Sequence, residues 1–106
     1  MFHNIKYFVN FKEAHKHYKY PSSYRIGTIY NEKGVIRSYS NNTYDIITND
    51  YFLYKLKNNT VKEAFIINKK SKTPLRLFIK INNGVLDLGL FVVKSFYKGF
   101  VKLIKI

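Results

Sequence analysis

Two histidines one residue apart, His15 and His17, are the closest that the sequence comes to a metal-binding motif. They fall within a predicted helix, where side chains two positions apart point about 200° away from each other and cannot share a metal ion. The chain has no cysteine, which excludes thiolate ligands and a cysteine nucleophile. We therefore predict no metal ion and no cofactor.

Acidic side chains are few, and none of them forms the paired arrangement that general acid–base catalysis uses. Most lie beside predicted turns or on strands, where we expect solvated carboxylates that offset neighbouring lysines. The glycines are isolated, so no phosphate-binding glycine loop is present. The sequence therefore predicts a protein that is not an enzyme, and a site assembled from scattered residues is the remaining alternative. The acids are Glu13, Glu32, Asp45, Asp50, Glu63 and Asp87.

Basic residues dominate the charge: nineteen lysines and arginines against six acids give a formal net charge of +13. Self-repulsion of this charge destabilises the folded state, so an anionic partner is expected, and nucleic acid is the commonest. Several cations are interleaved with aromatic residues, which suits phosphate contacts and base stacking. The residues predicted to contact phosphate are Lys12, Lys16, Lys19, Arg25, Arg37, Lys55, Lys57, Lys69, Lys70 and Lys72.

These cations are mostly lysines, and arginine is the preferred reader of base edges. The sequence therefore predicts attraction to the phosphates of DNA or RNA more than base recognition. An acidic host protein surface is the alternative partner, and a solvated lysine surface produced by an AT-rich genome is the simplest alternative. No membrane partner is expected, while unpaired strand edges allow a homodimer.

The first helix that would carry these residues is predicted from about Phe11 to Lys19, with Asn10 as its N-cap and Glu13 completing a capping box. A second, largely buried helix is predicted from about Leu90 to Lys98. Its polar positions form one narrow stripe, and Gly99 provides a stop signal.

Short β-rich runs separated by turn residues predict the strands. The run from Leu75 to Ile81 alternates most regularly, with its leucines and isoleucines on one face. The fold class is thus α+β: a single domain over residues 1–106, with a mainly antiparallel sheet of about five to six strands and two helices. The candidate runs from which this sheet would be built are Tyr24–Tyr30 and Val35–Tyr39 as a hairpin, Tyr44–Thr48, Tyr51–Lys57, Val61–Ile67, Leu75–Ile81, Val85–Leu88 and Val101–Ile106.

Residues from about Tyr24 to Phe100 resemble the N-terminal portion of phage HNH-type homing endonucleases. Tyr24-Arg25-Ile26 followed by Lys33-Gly34-Val35-Ile36-Arg37-Ser38 is similar to the family's small DNA-binding motif. Leu75 to Ile81, Asn83-Gly84 and Leu90 to Phe96 are similar to the segment that introduces its nuclease core. Gly89 stands where the family usually has a histidine, and the His-Asn-His module has no counterpart in this sequence.

The resemblance implies a nucleic-acid-binding protein of phage or mobile-element type without nuclease activity, with Arg37 and Ser38 as backbone contacts. The leading hypothesis is therefore a noncatalytic nucleic-acid-binding protein. The second hypothesis is a small phage-type inhibitor or accessory protein that binds a host nucleic-acid-handling complex. The early residues lack a signal peptide pattern, so we expect a cytoplasmic location, in the host cell if the protein is phage-encoded.

Overall fold

The computed structural model describes residues 5–20, 28–30, 33–39, 45–48, 50–56 and 58–106, and within them it shows eight strands and two helices. The α+β class is confirmed. Neither of these helices is long and apolar enough to cross a membrane. The elements are β1 (Lys6–Phe8), α1 (Phe11–His17), β2 (Thr28–Tyr30), β3 (Lys33–Tyr39), β4 (Ile46–Ile47), β5 (Tyr51–Lys55), α2 (Asn59–Ser71), β6 (Leu75–Ile81), β7 (Gly84–Tyr97) and β8 (Phe100–Lys105).

The strands form one sheet in the order β2-β3-β6-β7-β8-β5-β4, and β1 pairs with the first part of β7. The pairings between described strands are antiparallel except for β3 with β6, which run parallel. The sheet is therefore mixed, although mainly antiparallel as predicted. The chain leaves β3, forms β4, β5 and α2, and then returns beside β3 in the same direction, as parallel neighbours require.

The sheet curls so that its two ends approach each other. Asp45, just before β4, accepts a hydrogen bond from the Ser38 hydroxyl on β3 at 2.8 Å. Its other oxygen accepts one from the backbone N–H of Lys55 on β5 at 2.9 Å. The concave side holds the larger core, which includes Ile36, Phe52, Tyr54, Phe65, Leu75, Leu77, Ile79, Leu88, Phe91, Val101 and Leu103.

Helix α1 packs on the convex side of the sheet, over a second and smaller core. Ala14 of α1 is buried there with Val35, Phe78 and Val85. Side chains alternate across a strand, so Phe78 faces α1 while Leu75, Leu77 and Ile79 face the concave side. Helix 11–19 was predicted with nearly the observed bounds, and Asn10 is its N-cap, accepting from the backbone N–H of Glu13 at 2.9 Å.

The second helix was predicted in the wrong place, because residues 61–67 lie in α2 and do not form a strand. The side chain of Asn58 accepts from the backbone N–H of Val61 at 2.9 Å, so the Asn58-Asn59 pair starts a helix where a turn was predicted. Phe65 and Asn68 are buried at helical spacing, whereas Ile67 is exposed. The helix ends at Lys72, which has a left-handed backbone with φ 57°.

Residues 90–98 do not form the predicted helix, because residues up to Tyr97 belong to the long strand β7. This strand pairs with β6 and β1 in its first part and with β8 in its second part. The first part of β7 lies between α1 and the concave core, so it is buried on both faces and its apolar run lacks simple alternation. A register shift between Val93 and Ser95 disturbs the remaining period of two.

Candidate nucleic-acid interface

Three of the predicted phosphate contacts lie on or just after α1 and are exposed. Ala14 and His15 form the buried face of this helix, so Lys12 and Lys16 point to solvent. Lys19 follows the helix, with a left-handed backbone at φ 60° and an exposed side chain. None of these lysines forms an ion pair with another described residue, which leaves their charge available to an anion.

Arg37 on β3 is held against the same helix. Its Nε and Nη2 atoms lie 3.2 and 3.0 Å from Nε2 of the buried His15. Its guanidinium carbon lies 4.6 Å from the centre of the Phe11 ring. Because a guanidinium can only donate, the facing imidazole nitrogen is the acceptor. Lys12, Lys16, Lys19 and Arg37 together are called the α1 basic surface below.

The other predicted phosphate contacts are not part of the α1 basic surface. Lys69 and Lys70 are exposed in the last turn of α2, and exposed Lys72 follows them. Helix α2 packs into the concave core and α1 onto the convex side, so the two groups of cations belong to different sides of the sheet. Lys55 lies on β5, and its Nζ lies 5.0 Å from the centre of the Phe100 ring on β8. Arg25 and Lys57 lie outside the described residues.

Ser38 is not available as the phosphate contact that the family resemblance implied. Its exposed fraction is 2%, and its hydroxyl donates to Asp45. The physical reason is the alternation of β3, which turns Arg37 towards α1 and Ser38 towards the concave side with Ile36.

A second polar constellation, which the sequence reasoning missed, lies between α1 and the centre of the sheet. Asp87 is 5% exposed, and its oxygens lie 3.0 and 3.1 Å from Nη1 of Arg76. The Tyr18 hydroxyl and the backbone N–H of Gly89 also donate to this carboxylate. The expectation of a solvated acid is therefore wrong for Asp87. The signal in the sequence that could have identified this buried acid is its position as the lone acid within the apolar run from Val85 to Val93.

A β-bulge aims Asp87 at its partners. Arg76 pairs with Leu90 and Phe78 pairs with Asp87, so two residues of β7, Leu88 and Gly89, lie opposite one residue of β6. Gly89 has φ +92°, a conformation that favours glycine. Its backbone N–H consequently turns back to the Asp87 carboxylate at 2.8 Å.

Burial and charge shift the ionisation of this constellation. Burial, followed by the hydrogen bond to Asp87, raises the pKa of Tyr18 to about 12. Burial lowers the pKa of Arg76, but the hydrogen bond to Tyr20 and the charge of Asp87 outweigh it and leave that pKa raised. The Arg76 guanidinium also stacks 3.8 Å from the centre of the Tyr18 ring. At neutral pH the Arg76 guanidinium is therefore charged and the Tyr18 phenol beside it is neutral.

The constellation borders a cavity of about 340 Å³. The cavity offers cationic donors and an aromatic wall, which suits a small polar ligand. The described residues contain no group of three or more His, Asp and Glu that could hold a metal ion. The lining residues are Lys6, Tyr18, Arg76, Asp87, Leu88, Gly89 and Lys105.

Comparison with known proteins gives a match of fold only. No family model and no curated protein sequence matches the chain. The chain is similar to the SUVH5 SRA domain in complex with methylated CHH DNA, with a TM-score of 0.62, 22% identity, and coverage of 81% of this chain and 75% of that chain. The same domain bound to fully hydroxymethylated CG DNA gives a TM-score of 0.55, 21% identity and coverage of 81% and 76%.

The complex of the same domain with hemimethylated CG DNA gives a TM-score of 0.57 and 19% identity. That match covers 68% of this chain and 63% of the other, so the chain spans a little under two thirds of this neighbour's length. At these identities the likeness shows a shared SRA-like fold. The resemblance to phage homing endonucleases stays a prediction from sequence.

Proposed function

We propose that this protein is a noncatalytic nucleic-acid-binding domain that contacts DNA phosphates through the α1 basic surface. The observation that carries the proposal is the exposed, unneutralised charge of Lys12 and Lys16 on a fold similar to domains solved in complex with DNA. Arg37 supports the proposal because His15 and Phe11 hold its guanidinium beside this helix. Preorganised cations bind phosphate with less loss of side-chain entropy.

The noncatalytic character is supported by the state of the buried acid. Asp87 is paired with Arg76 and accepts from Tyr18 and Gly89, so its oxygens are occupied. A carboxylate held in this way has no free site from which to act as a general base.

The proposal is tested by fluorescence anisotropy with a labelled DNA duplex over a range of NaCl concentrations. The four cations of the α1 basic surface can neutralise about four phosphates, which predicts a slope of log affinity against log salt of about −3.6. The double variant Lys12→Ala/Lys16→Ala should bind more weakly and reduce the slope by roughly two, since each lost phosphate contact removes about 0.9. Absence of a salt-dependent complex with the unmodified protein would overturn the proposal.

The matched control is Lys69→Ala/Lys70→Ala on α2, which removes the same charge from the other side of the sheet. We expect it to leave the slope close to that of the unmodified protein. Equal effects of the two double variants would mean that net charge alone attracts DNA and that the α1 basic surface is not the interface. Duplexes with and without 5-methylcytosine form two arms of the titration, since the DNA in the neighbours' complexes is methylated or hydroxymethylated.

A further inference from the structure

The convex side of the sheet carries a second surface that neither helix covers. Helix α1 packs over β1, β6 and the first part of β7, and α2 contacts β7 and β2. Strand β8 lies between β5 and the second part of β7. Within the described residues, no helix lies over the outward side of these three strands.

The outward residues of these strands form continuous cross-strand rows, because directly opposite residues of antiparallel strands share a face. Phe100 on β8 lies opposite both Lys55 on β5 and Tyr97 on β7. The next row is centred on Lys102, about 6.7 Å further along β8. This surface, called the open sheet face, comprises Tyr51, Leu53, Lys55, Ser95, Tyr97, Phe100, Lys102 and Ile104.

Lysines and aromatic rings are paired across the open sheet face. Nζ of Lys102 lies 4.8 Å from the centre of the Tyr51 ring. Nζ of Lys55 lies 5.0 Å from the centre of the Phe100 ring. Lys98, in the turn after β7, holds its Nζ 5.3 Å from the Tyr97 ring centre. Three cations therefore rest on three rings of one surface.

The rings are accessible and border a shared depression. Tyr97 is 61% exposed, and Tyr51, Phe100 and Lys102 are partly exposed. A depression of about 310 Å³ lies between Tyr51, Leu53, Ser95, Phe96, Tyr97 and Lys102. None of the residues of the open sheet face is acidic, and the nearest acid in sequence is Asp50, beside Tyr51.

We propose that the open sheet face is a second nucleic-acid site, which binds single strands by stacking bases on Tyr51 and Tyr97 and holding phosphates with Lys55, Lys98 and Lys102. A single strand exposes the faces of its bases, as a duplex does not, so rings and cations on one surface match its chemistry. The α1 basic surface offers its cations to phosphates alone. This inference rests on the proposed function, which it extends to a different surface.

The free protein keeps each ring covered by a lysine, and the proposal requires that binding displaces it. An exposed cation–π contact is weak, whereas a base stacked on an aromatic side chain is held about three times as strongly. Displacing the lysine is therefore favourable, and the released ammonium group can pair with a phosphate of the same strand.

The test is an anisotropy titration with labelled oligothymidylate, oligouridylate and a labelled hairpin duplex. Tyr51→Ala and Tyr97→Ala should each weaken oligothymidylate binding at least about fivefold, as loss of one stacked base predicts, and leave hairpin binding unchanged. Tyr97→Phe keeps the ring and should retain the affinity. Tyr7→Ala, which removes a 54% exposed tyrosine from β1, is the matched control and should have no effect on single-strand binding.

Tryptophan fluorescence of the variant Tyr97→Trp measures stacking directly, because the chain has no tryptophan and the variant therefore carries a single fluorescent reporter. Oligothymidylate or oligouridylate should quench its fluorescence, and the hairpin should not; the two single strands show whether the sugar matters. If the unmodified protein binds the hairpin but neither tyrosine variant loses single-strand affinity, the proposed single-strand site on the open sheet face is refuted and the proposed function stands. If the unmodified protein binds no nucleic acid, both proposals are overturned.

Discussion

Asp87 joins three parts of the chain through one carboxylate. Arg76 on β6, Tyr18 after α1 and the backbone N–H of Gly89 all donate to it. The desolvation of a buried ion pair offsets much of its Coulomb attraction. Removing one partner, however, leaves the other charge buried and uncompensated. Asp87 and Arg76 are therefore sensitive to single substitutions, and Arg76 is the residue that loses its counter-charge.

Asp87→Asn should lower the free energy of unfolding by about 3 kcal/mol, since it removes the counter-charge of a largely buried guanidinium. Urea unfolding followed by circular dichroism measures the change. The matched control is Asp50→Asn, which makes the same chemical change at an exposed acid and should stay within about 0.5 kcal/mol of the unmodified protein. Equal stabilities of the two variants would contradict the buried ion pair.

Tyr18 gives a pH-dependent prediction with a defined sign. Burial and the hydrogen bond to Asp87 raise its pKa to about 12, so the folded protein retains this phenolic proton over a range in which the unfolded chain loses it. The stability contributed by the neutral phenol is fully present below pH about 10 and is lost as the pH rises towards 12. The Tyr18→Phe variant should lose less stability across this interval.

Ultraviolet absorbance of ionised tyrosine measures the same group directly. Tyr54 also has a raised pKa, caused by burial first and then by the charge of Asp45. Tyr18→Phe should therefore remove one late-titrating tyrosine and leave another. An unchanged late phase in this variant would show that Tyr18 ionises normally.

Helix α2 and strand β7 show how two apolar segments reach different structures. Both segments mix aliphatic and aromatic residues, but only α2 starts with a capping asparagine and buries residues at helical spacing. β7 is instead fixed by its neighbours, since it pairs with β6 in its first part and with β8 in its second part. The bulge at Leu88 and Gly89 then lets this long strand continue past the cavity.

The pair Phe65→Ala and Ile67→Ala distinguishes the helix from the strand that the sequence predicted. On a strand these positions would share a face, whereas on α2 Phe65 is fully buried and Ile67 is 57% exposed. Phe65→Ala should lower the free energy of unfolding by about 3–5 kcal/mol, whereas Ile67→Ala should change it by less than about 0.5 kcal/mol. Urea unfolding measures both, and similar losses would argue against α2.

The whole molecule carries a net charge of +13 on a compact body with a radius of gyration of 12.7 Å. Among the described residues, cations lie on the α1 basic surface, along the end of α2 and on the open sheet face, so both sides of the sheet carry positive charge. Charges distributed in this way repel one another within the folded state. The same distribution is what allows two separate nucleic-acid surfaces on one small domain.

Screening this repulsion should stabilise the protein, so the thermal midpoint Tm should rise with NaCl concentration. Differential scanning calorimetry at low and high salt measures the rise. In the variant Lys69→Gln/Lys70→Gln, where the net charge falls from +13 to +11, the salt-dependent increase should be smaller. A Tm that falls with salt would mean that attractive ion pairs outweigh the repulsion.

Local sequence was enough to predict the α+β class, α1 with its Asn10 cap, the alternation of β6 and the excess of cations. These features depend on residues near one another in the chain, where periodicity and capping act. The tertiary structure decided that residues 90–97 form a strand, that Ser38 is buried and which groups bind Asp87. Each of these depends on which strand lies alongside, and pairing across the curled sheet joins residues that no local pattern connects.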